Sequence, residues 1–171
     1  MLGVVHIVDD DASFAKAMER HLKHAGCEAM IYGSAQHLLD RLPSEGVPSC
    51  ILLDVRIPGL NGLELQERLV KLGSTLPIIF LTGHPDIPTT VRAIKAGADD
   101  FLAKPVASDE LLCAIERAFE HHTALRGLRN KLDIVRAHIA ALTPREREVF
   151  QLVVRGNTNK QIGNVLGATE R

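Results

Sequence analysis

Five short apolar runs, separated by amphipathic stretches, constrain the fold of this chain more than any other feature of its sequence. The runs are rich in β-branched residues, are too short for helices and are bounded by Gly, Pro or Asp; they cover residues 3–8, 27–32, 50–53, 77–81 and 100–103. The intervening stretches repeat apolar residues at helical spacing. Strands that alternate with helices form a parallel sheet covered on both faces, with right-handed crossovers. The sequence therefore predicts an α/β fold with a five-stranded, doubly wound parallel sheet.

From Ser108 onward the pattern becomes helical. Ser108 is a candidate N-cap, because acidic residues follow it in the first turn. Farther along, apolar residues recur at gaps of three and four, as in a long helix or a coiled-coil seam; this seam consists of Leu125, Leu128, Leu132, Val135 and Ile139. The seam can pack on the chain's own domains or pair with a second copy. Its surroundings are locally basic, which would weaken pairing between identical helices at low salt.

A separate helical unit is predicted to begin at Thr143. Thr143 suits an N-cap, Pro144 suits the first helical position and Glu146 completes a capping box. A helix to about Arg155 should follow, and then a shorter one over 159–166. The predicted domains are residues 1–121, a helical linker over 122–141 and the helical unit over 142–171.

Composition narrows the classes of function. The 171-residue chain has a net charge of −1 and no overall basic excess, which argues against broad electrostatic binding to nucleic acid but leaves room for a small basic patch at one end. Its three cysteines have no metal-site spacing and are expected to be free thiols. No apolar run approaches the ~20 residues of a membrane span, and the N-terminus does not read as a signal peptide. We therefore expect a soluble, cytoplasmic protein with no membrane partner.

Polar residues collect at the predicted carboxyl ends of the strands. Asp9 and Asp10 follow the first strand, Asp54 the third, Thr82 the fourth and Lys104 the fifth. Open α/β sheets bind ligands at this edge. Crowded carboxylates repel one another unless a cation lies among them, and Mg²⁺ prefers such hard oxygen ligands. The set suits phosphoryl transfer, with Asp54 as nucleophile, Lys104 and Mg²⁺ neutralising the phosphoryl oxygens and Thr82 donating a hydrogen bond to one of them.

Three other polar residues are interpreted as having no role in catalysis or metal binding. Asp11 directly precedes a predicted helix and is expected to cap it. His121 and His122 are expected to lie on a solvated face of the linker, where they would not bind a metal ion.

Four blocks of sequence resemble, in order and spacing, the signature blocks of receiver domains: VDDD at 8–11, LDVRIPG at 53–59, LTGH at 81–84 and FLAKP at 101–105. The resemblance covers about residues 1–121 and implies a flavodoxin-like receiver fold. It also implies that Asp54 accepts a phosphoryl group from a sensor histidine kinase. Asp10 and Asp54 would then bind Mg²⁺ directly, together with the backbone carbonyl of Arg56, and Asp9 would act largely through water.

The same resemblance assigns a conformational switch. Thr82 and Phe101 match the family's switch pair, a hydroxyl that moves to the phosphate and a ring that turns inward. Lys104-Pro105 matches the family's cis peptide bond.

A second resemblance lies near the C-terminus, where LTPREREV at 142–149 and NKQI at 159–162 are similar to a LuxR-type helix-turn-helix domain. The whole chain thus resembles FixJ/NarL-type transcriptional regulators, which implies DNA binding by the complete protein and a phosphorylation-dependent homodimer. Gly163 stands where that family usually has Ala, which is expected to loosen the second helix. The recognition helix should begin just past Thr169 and is absent. Since major-groove reading depends on that helix, we expect this chain to bind specific DNA weakly or not at all.

Two other functions fit the sequence less well. A phosphatase with an aspartyl-phosphate intermediate usually carries a second Asp two residues beyond the nucleophile, where this chain has Arg56. A nucleotide-binding domain would need a Gly-rich phosphate loop after the first strand, where this chain has aspartates. We therefore predict a signalling switch that is not an enzyme.

Overall fold

The computed structural model describes residues 3–44 and 46–167, and the chain divides into two compact units, Met1–Gly127 and Leu128–Arg171. The first unit alternates strands and helices before a long final helix: β1 (Val4–Val8), α1 (Ala12–His24), β2 (Glu28–Tyr32), α2 (Ala35–Asp40), β3 (Ser49–Asp54), α3 (Gly62–Lys71), β4 (Ile78–Thr82), α4 (Ile87–Lys95), β5 (Asp100–Ala103) and α5 (Ser108–Ala140). The five strands are all parallel and lie in the order β2-β1-β3-β4-β5. The predicted doubly wound sheet is confirmed, and each strand lies within one residue of its expected bounds.

The central strands of the sheet are buried on both faces, as their near-continuous apolar sequences require, whereas the edge strands β2 and β5 are partly exposed. One apolar layer joins alternate strand residues such as Ile7 and Leu52 to α1 and α5. The opposite layer joins Ile51, Leu53 and Phe80 to residues of α2, α3 and α4. The central strands β3 and β4 are therefore the most fully buried.

The starts of α1 and α5 differ in how they are capped. Asp11 is the N-cap of α1, and its carboxylate accepts hydrogen bonds from the amides of Ser13 and Phe14, as predicted. The prediction of Ser108 as an N-cap is wrong, because Ser108 is already helical and the Leu111 amide bonds the carbonyl of Ala107. The Ser108 hydroxyl instead lies 2.9 Å from Nε2 of His21, a tertiary contact that local sequence does not reveal.

The middle of α5 is anchored to the loop that precedes β3. His122 is fully buried, and its Nδ1 accepts a hydrogen bond from the amide of Ser49 at 3.0 Å. One turn farther on, Arg126 donates to the carbonyl of Gly46 at 2.7 Å. The expectation of a solvated His122 is therefore wrong, because α5 also packs against the amino end of the central strand β3. His121, one residue earlier, is exposed as expected and pairs with Asp99.

The second unit contains the end of α5 followed by α6 (Pro144–Val154) and α7 (Asn159–Val165). Thr143 caps α6 in a capping box with Glu146, and Pro144 is its first residue, which confirms the predicted helix start. Gly163 lies within α7, which is helical across it. The position just past Thr169, where the recognition helix would begin, lies outside the described residues.

The apolar seam of α5 is exposed within its unit. Leu128, Leu132 and Val135 each leave more than half of their surface accessible, so the second unit does not cover them. Within the described residues, no helix is both long and apolar enough to cross a membrane.

Candidate functional site

Three aspartates meet at the carboxyl edge of the sheet. Strands β1 and β3 are neighbours in register, with Val8 opposite Leu53, so that Asp9 and Asp54 end adjacent strands. One carboxylate oxygen from each of Asp9, Asp10 and Asp54 lies within 4.8 Å of the others. The structure thus brings together the acidic residues that the sequence assigned to one site.

Lys104, which follows the edge strand β5, contacts two of these carboxylates. Its Nζ donates to Oδ2 of Asp9 at 2.6 Å and to Oδ2 of Asp54 at 2.7 Å. The Lys104 amide donates to the carbonyl of Thr82 at 2.7 Å, which holds the start of this loop against β4. The Lys104-Pro105 peptide bond is cis, as the resemblance implied.

The ammonium of Lys104 stays charged in this partly buried position. Burial alone would lower the pKa of Lys104, but its hydrogen bonds to Asp54 and Asp9 and their negative charges outweigh burial and raise that pKa. Three carboxylates against one ammonium still leave a formal excess of negative charge at this edge. A site of this kind favours an added cation with hard oxygen ligands.

Asp54 is held in a fixed orientation. Its Oδ1 accepts from the backbone amide of Arg56 at 2.9 Å, and Oδ2 accepts from Lys104. Its side chain is 14% exposed, so a reacting group can reach it from solvent. The structure describes the Arg56 amide contact, and the predicted role of its carbonyl as a metal ligand stays a prediction.

Asp9 and Asp10 occupy different environments. Asp9 is buried, its Oδ1 accepts from the amide of Asp11 at 2.8 Å and its Oδ2 binds Lys104. Asp10 is exposed. Because the Asp9 side chain is 3% exposed, whereas that of Asp54 is 14% exposed and Asp10 is exposed, Asp10 and Asp54 are the more accessible ligands for a metal ion.

The expected switch residues lie at neighbouring strands. Thr82 ends β4, is buried, and its Oγ1 accepts from the amide of His84 at 3.2 Å. Phe101 in β5 is half-buried, with its ring centroid 5.9 Å from that of Phe80. Their switching role is not tested by one conformation and stays a prediction.

Two residues that the sequence reasoning missed also shape the site. The ring of Phe14, in the first turn of α1, lies 4.0 Å from Nζ of Lys104 and stabilises the ammonium by a cation–π contact. Gly62 begins α3, where an added Cβ would lie 2.5 Å from the carbonyl oxygen of Asp54 and 3.0 Å from the ring of Phe80. The capping box of Asn61 and Glu64 marks the start of α3 in the sequence, but the close approach of Gly62 to Asp54 has no local signal.

Comparison with known families assigns both units. A model described as the response regulator receiver domain matches residues 5–116, and one described as bacterial regulatory proteins, luxR family, matches residues 140–171. This chain belongs to the two-component response regulators. The receiver match covers every acidic residue of the cluster and Lys104, and the second match covers α6 and α7. A response regulator of this composition couples a receiver to a LuxR-type DNA-binding domain and regulates transcription.

Relatives of this response regulator share both parts. Nodulation protein W of Bradyrhizobium diazoefficiens is 41% identical over 168 residues, an alignment that covers 98% of this chain and 74% of the relative. The transcriptional regulatory protein FixJ of the same species is 38% identical over 160 residues, covering 94% of this chain and 78% of that protein.

Solved structures give the same assignment. The response regulator StyR matches with a TM-score of 0.84 at 40% identity, covering 98% of this chain and 84% of that chain. Full-length FixJ from B. japonicum matches with a TM-score of 0.67 at 36% identity, covering 98% and 82%. These relatives are response regulators and not typical enzymes, and a receiver implies a histidine kinase as partner.

Proposed function

We propose that this response regulator accepts a phosphoryl group on Asp54 from a sensor histidine kinase and that the modified receiver controls self-association and DNA binding. The observation that carries the proposal is the contact of one ammonium, Lys104, with the carboxylates of both Asp9 and Asp54. A lysine between carboxylates is already placed to stabilise the further negative charge that a phosphoryl group brings.

The reaction needs little covalent chemistry from the protein. A carboxylate oxygen of Asp54 forms a bond to phosphorus, the P–N bond of the kinase phosphohistidine breaks, and its electron pair stays on the imidazole, which takes up a proton. As charge accumulates on the phosphoryl oxygens, Lys104 exchanges its hydrogen bond to Asp54 for one to the phosphoryl group. The Arg56 amide continues to orient the Asp54 carboxylate through the contact that it already makes.

We propose Mg²⁺ as the metal of this site, held by Asp10, Asp54 and the carbonyl of Arg56. The fit rests on the hard carboxylate oxygens that lie within 4.8 Å of one another and on their excess over the single ammonium. When bound, Mg²⁺ would neutralise charge on the phosphoryl oxygens.

The switch follows from a change of partners at Thr82. Its hydroxyl now accepts from the His84 amide, and a phosphoryl oxygen on Asp54 would give that hydroxyl a stronger acceptor. Movement of Thr82 would free space beside β5, and the half-buried ring of Phe101 would then turn inward. The surface of α4, β5 and α5 changes as a result.

Phosphorylation of Asp54 is tested with a small phosphoryl donor, such as acetyl phosphate, in the presence of Mg²⁺. We expect intact-mass spectrometry to show one added phosphoryl group on the wild-type chain and on the Asp133→Asn control, which alters an exposed carboxylate on α5. Asp54→Asn should show none. Stoichiometric labelling of Asp54→Asn would overturn the proposal.

The proposed metal site is tested by calorimetric titration with Mg²⁺. Asp10→Asn should weaken the affinity for Mg²⁺ at least about tenfold, because a direct carboxylate ligand is lost. Asp40→Asn, an exposed substitution at the end of α2, serves as the control and should leave the affinity unchanged. Equal affinities for the Asp10 variant and the wild type would remove Asp10 from the ligand set.

The enzymatic alternative predicts turnover. Arg56 occupies the position where an aspartyl-phosphatase would have its second Asp, and its side chain is exposed. We therefore expect a chromogenic phosphomonoester to release at most about one equivalent of its alcohol per protein molecule, with the phosphoryl group left on Asp54. Sustained multiple turnover would favour the phosphatase alternative.

We further propose that phosphorylation drives formation of a homodimer. The exposed seam of α5 supports a role in pairing, because its own unit leaves Leu128, Leu132 and Val135 uncovered. Arg129 and Arg136 flank the seam, so pairing through it should strengthen as salt screens their repulsion. Sedimentation with beryllofluoride and Mg²⁺ should give a dimer, and Leu132→Glu should weaken it; an unchanged dimer in that variant would exclude the seam.

A further inference from the structure

A cavity lies on the α2 side of the sheet, apart from the aspartate cluster. Its volume is about 580 Å³, it is half open to solvent, and it is lined by residues of β1, β2, the end of α2 and the loop that leads into β3. Most of its wall is apolar, with contributions from Ala29, Met30, Leu42 and Val47. This volume lies within the range of sites that bind a small organic molecule, and Met30 and Val47, at 53% and 48% exposure, leave apolar surface for such a molecule to cover. The described lining shares no residue with the proposed phosphorylation site.

The polar groups of the cavity are few and close together. His6 and Tyr32 are both buried, and Nδ1 of His6 lies 3.2 Å from the Tyr32 hydroxyl. Burial, reinforced by the nearby His122, lowers the pKa of His6 to about 4, so its ring is neutral near pH 7. When His6 carries its proton on Nδ1 and donates to Tyr32, the hydroxyl proton of Tyr32 is free to bind a ligand.

The charge of the lining has one sign. Arg41 stands at the end of α2, and none of the described lining residues is Asp or Glu. Burial raises the pKa of Tyr32, whereas the positive charge of Arg41 acts in the opposite direction, so the guanidinium and the hydroxyl are within electrostatic reach of each other. A largely apolar cavity lined by one cation, Arg41, and one hydroxyl donor, Tyr32, matches a ligand with an apolar body and one anionic group.

We propose that this cavity binds a small organic carboxylate. The carboxylate would pair with Arg41, whose planar fork fits a carboxylate in bidentate geometry, and would accept a second hydrogen bond from Tyr32. The apolar body would contact Ala29, Met30 and Val47. A free phosphate dianion fits less well, because the described lining offers one full positive charge and a largely apolar wall.

The cavity shares a residue with the anchor of α5. Ser49 lines the cavity, and its backbone amide donates to Nδ1 of the buried His122. A bound carboxylate would therefore lie beside the segment that holds α5 against the amino end of β3. A ligand at this position could therefore affect the packing of α5 independently of Asp54.

The three methionines of the chain allow a direct test. Met30 lines the cavity, whereas Met18 is buried in the apolar layer of α1 and α5 on the other face of the sheet. With methyl-labelled methionine, octanoate should shift the Met30 resonance saturably and leave the Met18 resonance in place. Octan-1-ol and inorganic phosphate, which present the apolar body and an anion separately, should each bind at least about tenfold more weakly than octanoate.

Variants of Arg41 complete the test. Arg41→Gln should weaken octanoate binding at least about tenfold, and Arg41→Lys should retain part of it because the charge remains. Arg20→Gln removes an exposed arginine of α1 outside the cavity and should bind as the wild type does. The unshifted Met18 resonance verifies that each variant is folded.

Three results would overturn the proposal. The first is no saturable shift of Met30 with octanoate up to about 10 mM. The second is equal affinity of octanoate for Arg41→Gln and wild type, which would mean that apolar contact alone drives binding. The third is binding of inorganic phosphate as tight as that of octanoate, which would assign the cavity to a different anion.

Discussion

The two units of this response regulator use their apolar residues in opposite ways. In the first unit, apolar residues of five strands and five helices form two buried layers around the sheet. In the described part of the second unit, Ile162 is the only buried apolar residue and is still 8% exposed, whereas Leu128, Leu132, Val153 and Val154 each leave more than half of their surface exposed. The receiver is therefore stabilised by an apolar core of its own, whereas the exposed apolar surface of the helical unit is suited to contact with another surface.

The largest expected effect comes from one substitution made in both units. Leu52→Ala removes a side chain that is 1% exposed in the centre of the sheet and should lower the free energy of unfolding by about 2–5 kcal/mol. Leu132→Ala removes one that is 56% exposed and should change it by less than about 0.5 kcal/mol. Chemical denaturation checks both values. Similar losses for the two variants would mean that Leu132 is covered in solution.

Acid should destabilise the receiver through His6. Its pKa falls from 6.5 to about 4 in the folded state, so the unfolded chain binds more protons between these values and stability decreases as pH drops through that window. A shift of this size corresponds to about 3 kcal/mol. His6→Gln should flatten this part of the pH profile, whereas His138→Gln, on the exposed part of α5, should leave it unchanged. An unaltered profile for His6→Gln would assign the pH dependence to another group.

Glycine substitutions should have opposite signs at two positions. Gly62→Ala places a Cβ 2.5 Å from the Asp54 carbonyl oxygen, so we expect a loss of about 1–3 kcal/mol and slower phosphorylation. Gly127 in α5 has no atom in reach of an added Cβ, and Gly127→Ala should stabilise the helix by up to about 1 kcal/mol. Thermal unfolding and labelling by acetyl phosphate measure the two effects. Unchanged phosphorylation of Gly62→Ala would show that α3 can move away without disturbing Asp54.

The smallest expected effects come from removing one helix cap in each unit. Asp11→Ala should lower receiver stability by about 1 kcal/mol, because two amides of α1 lose their acceptor. Thr143→Ala should cost a similar amount in α6 alone. Hydrogen exchange should then show faster exchange in α6 with the sheet of the receiver unaffected. Faster exchange in β3 of the Thr143 variant would mean that the two units unfold together.

The sheet and its acidic edge were predictable because both depend on local pattern. Apolar β-branched runs mark buried strands, and parallel strands bring residues such as Asp9 and Asp54 to one edge regardless of loop detail. The helix starts at Asp11 and Thr143 were predictable for the same reason, since a cap bonds amides only two or three residues away.

Tertiary contacts were not predictable in this way. The burial of His122 depends on where α5 packs, and its partner Ser49 is 73 residues away. The Ser108 hydroxyl bonds His21 rather than its own helix, and Phe14 meets Lys104 from a helix distant in sequence. The close approach of Gly62 to Asp54 likewise depends on the angle at which α3 leaves the sheet.

The two bonds of Lys104 have a mechanical consequence. Lys104 follows β5 at one border of the sheet, whereas Asp9 and Asp54 end β1 and β3, so a single side chain reaches past β4 and ties three strands together. Any chemical change to the Asp54 carboxylate alters one of the two hydrogen bonds that Lys104 makes to these strands. Lys104 therefore links the segment after β5 to Asp54 through a single side chain, in addition to the proposed movement of Thr82 and Phe101.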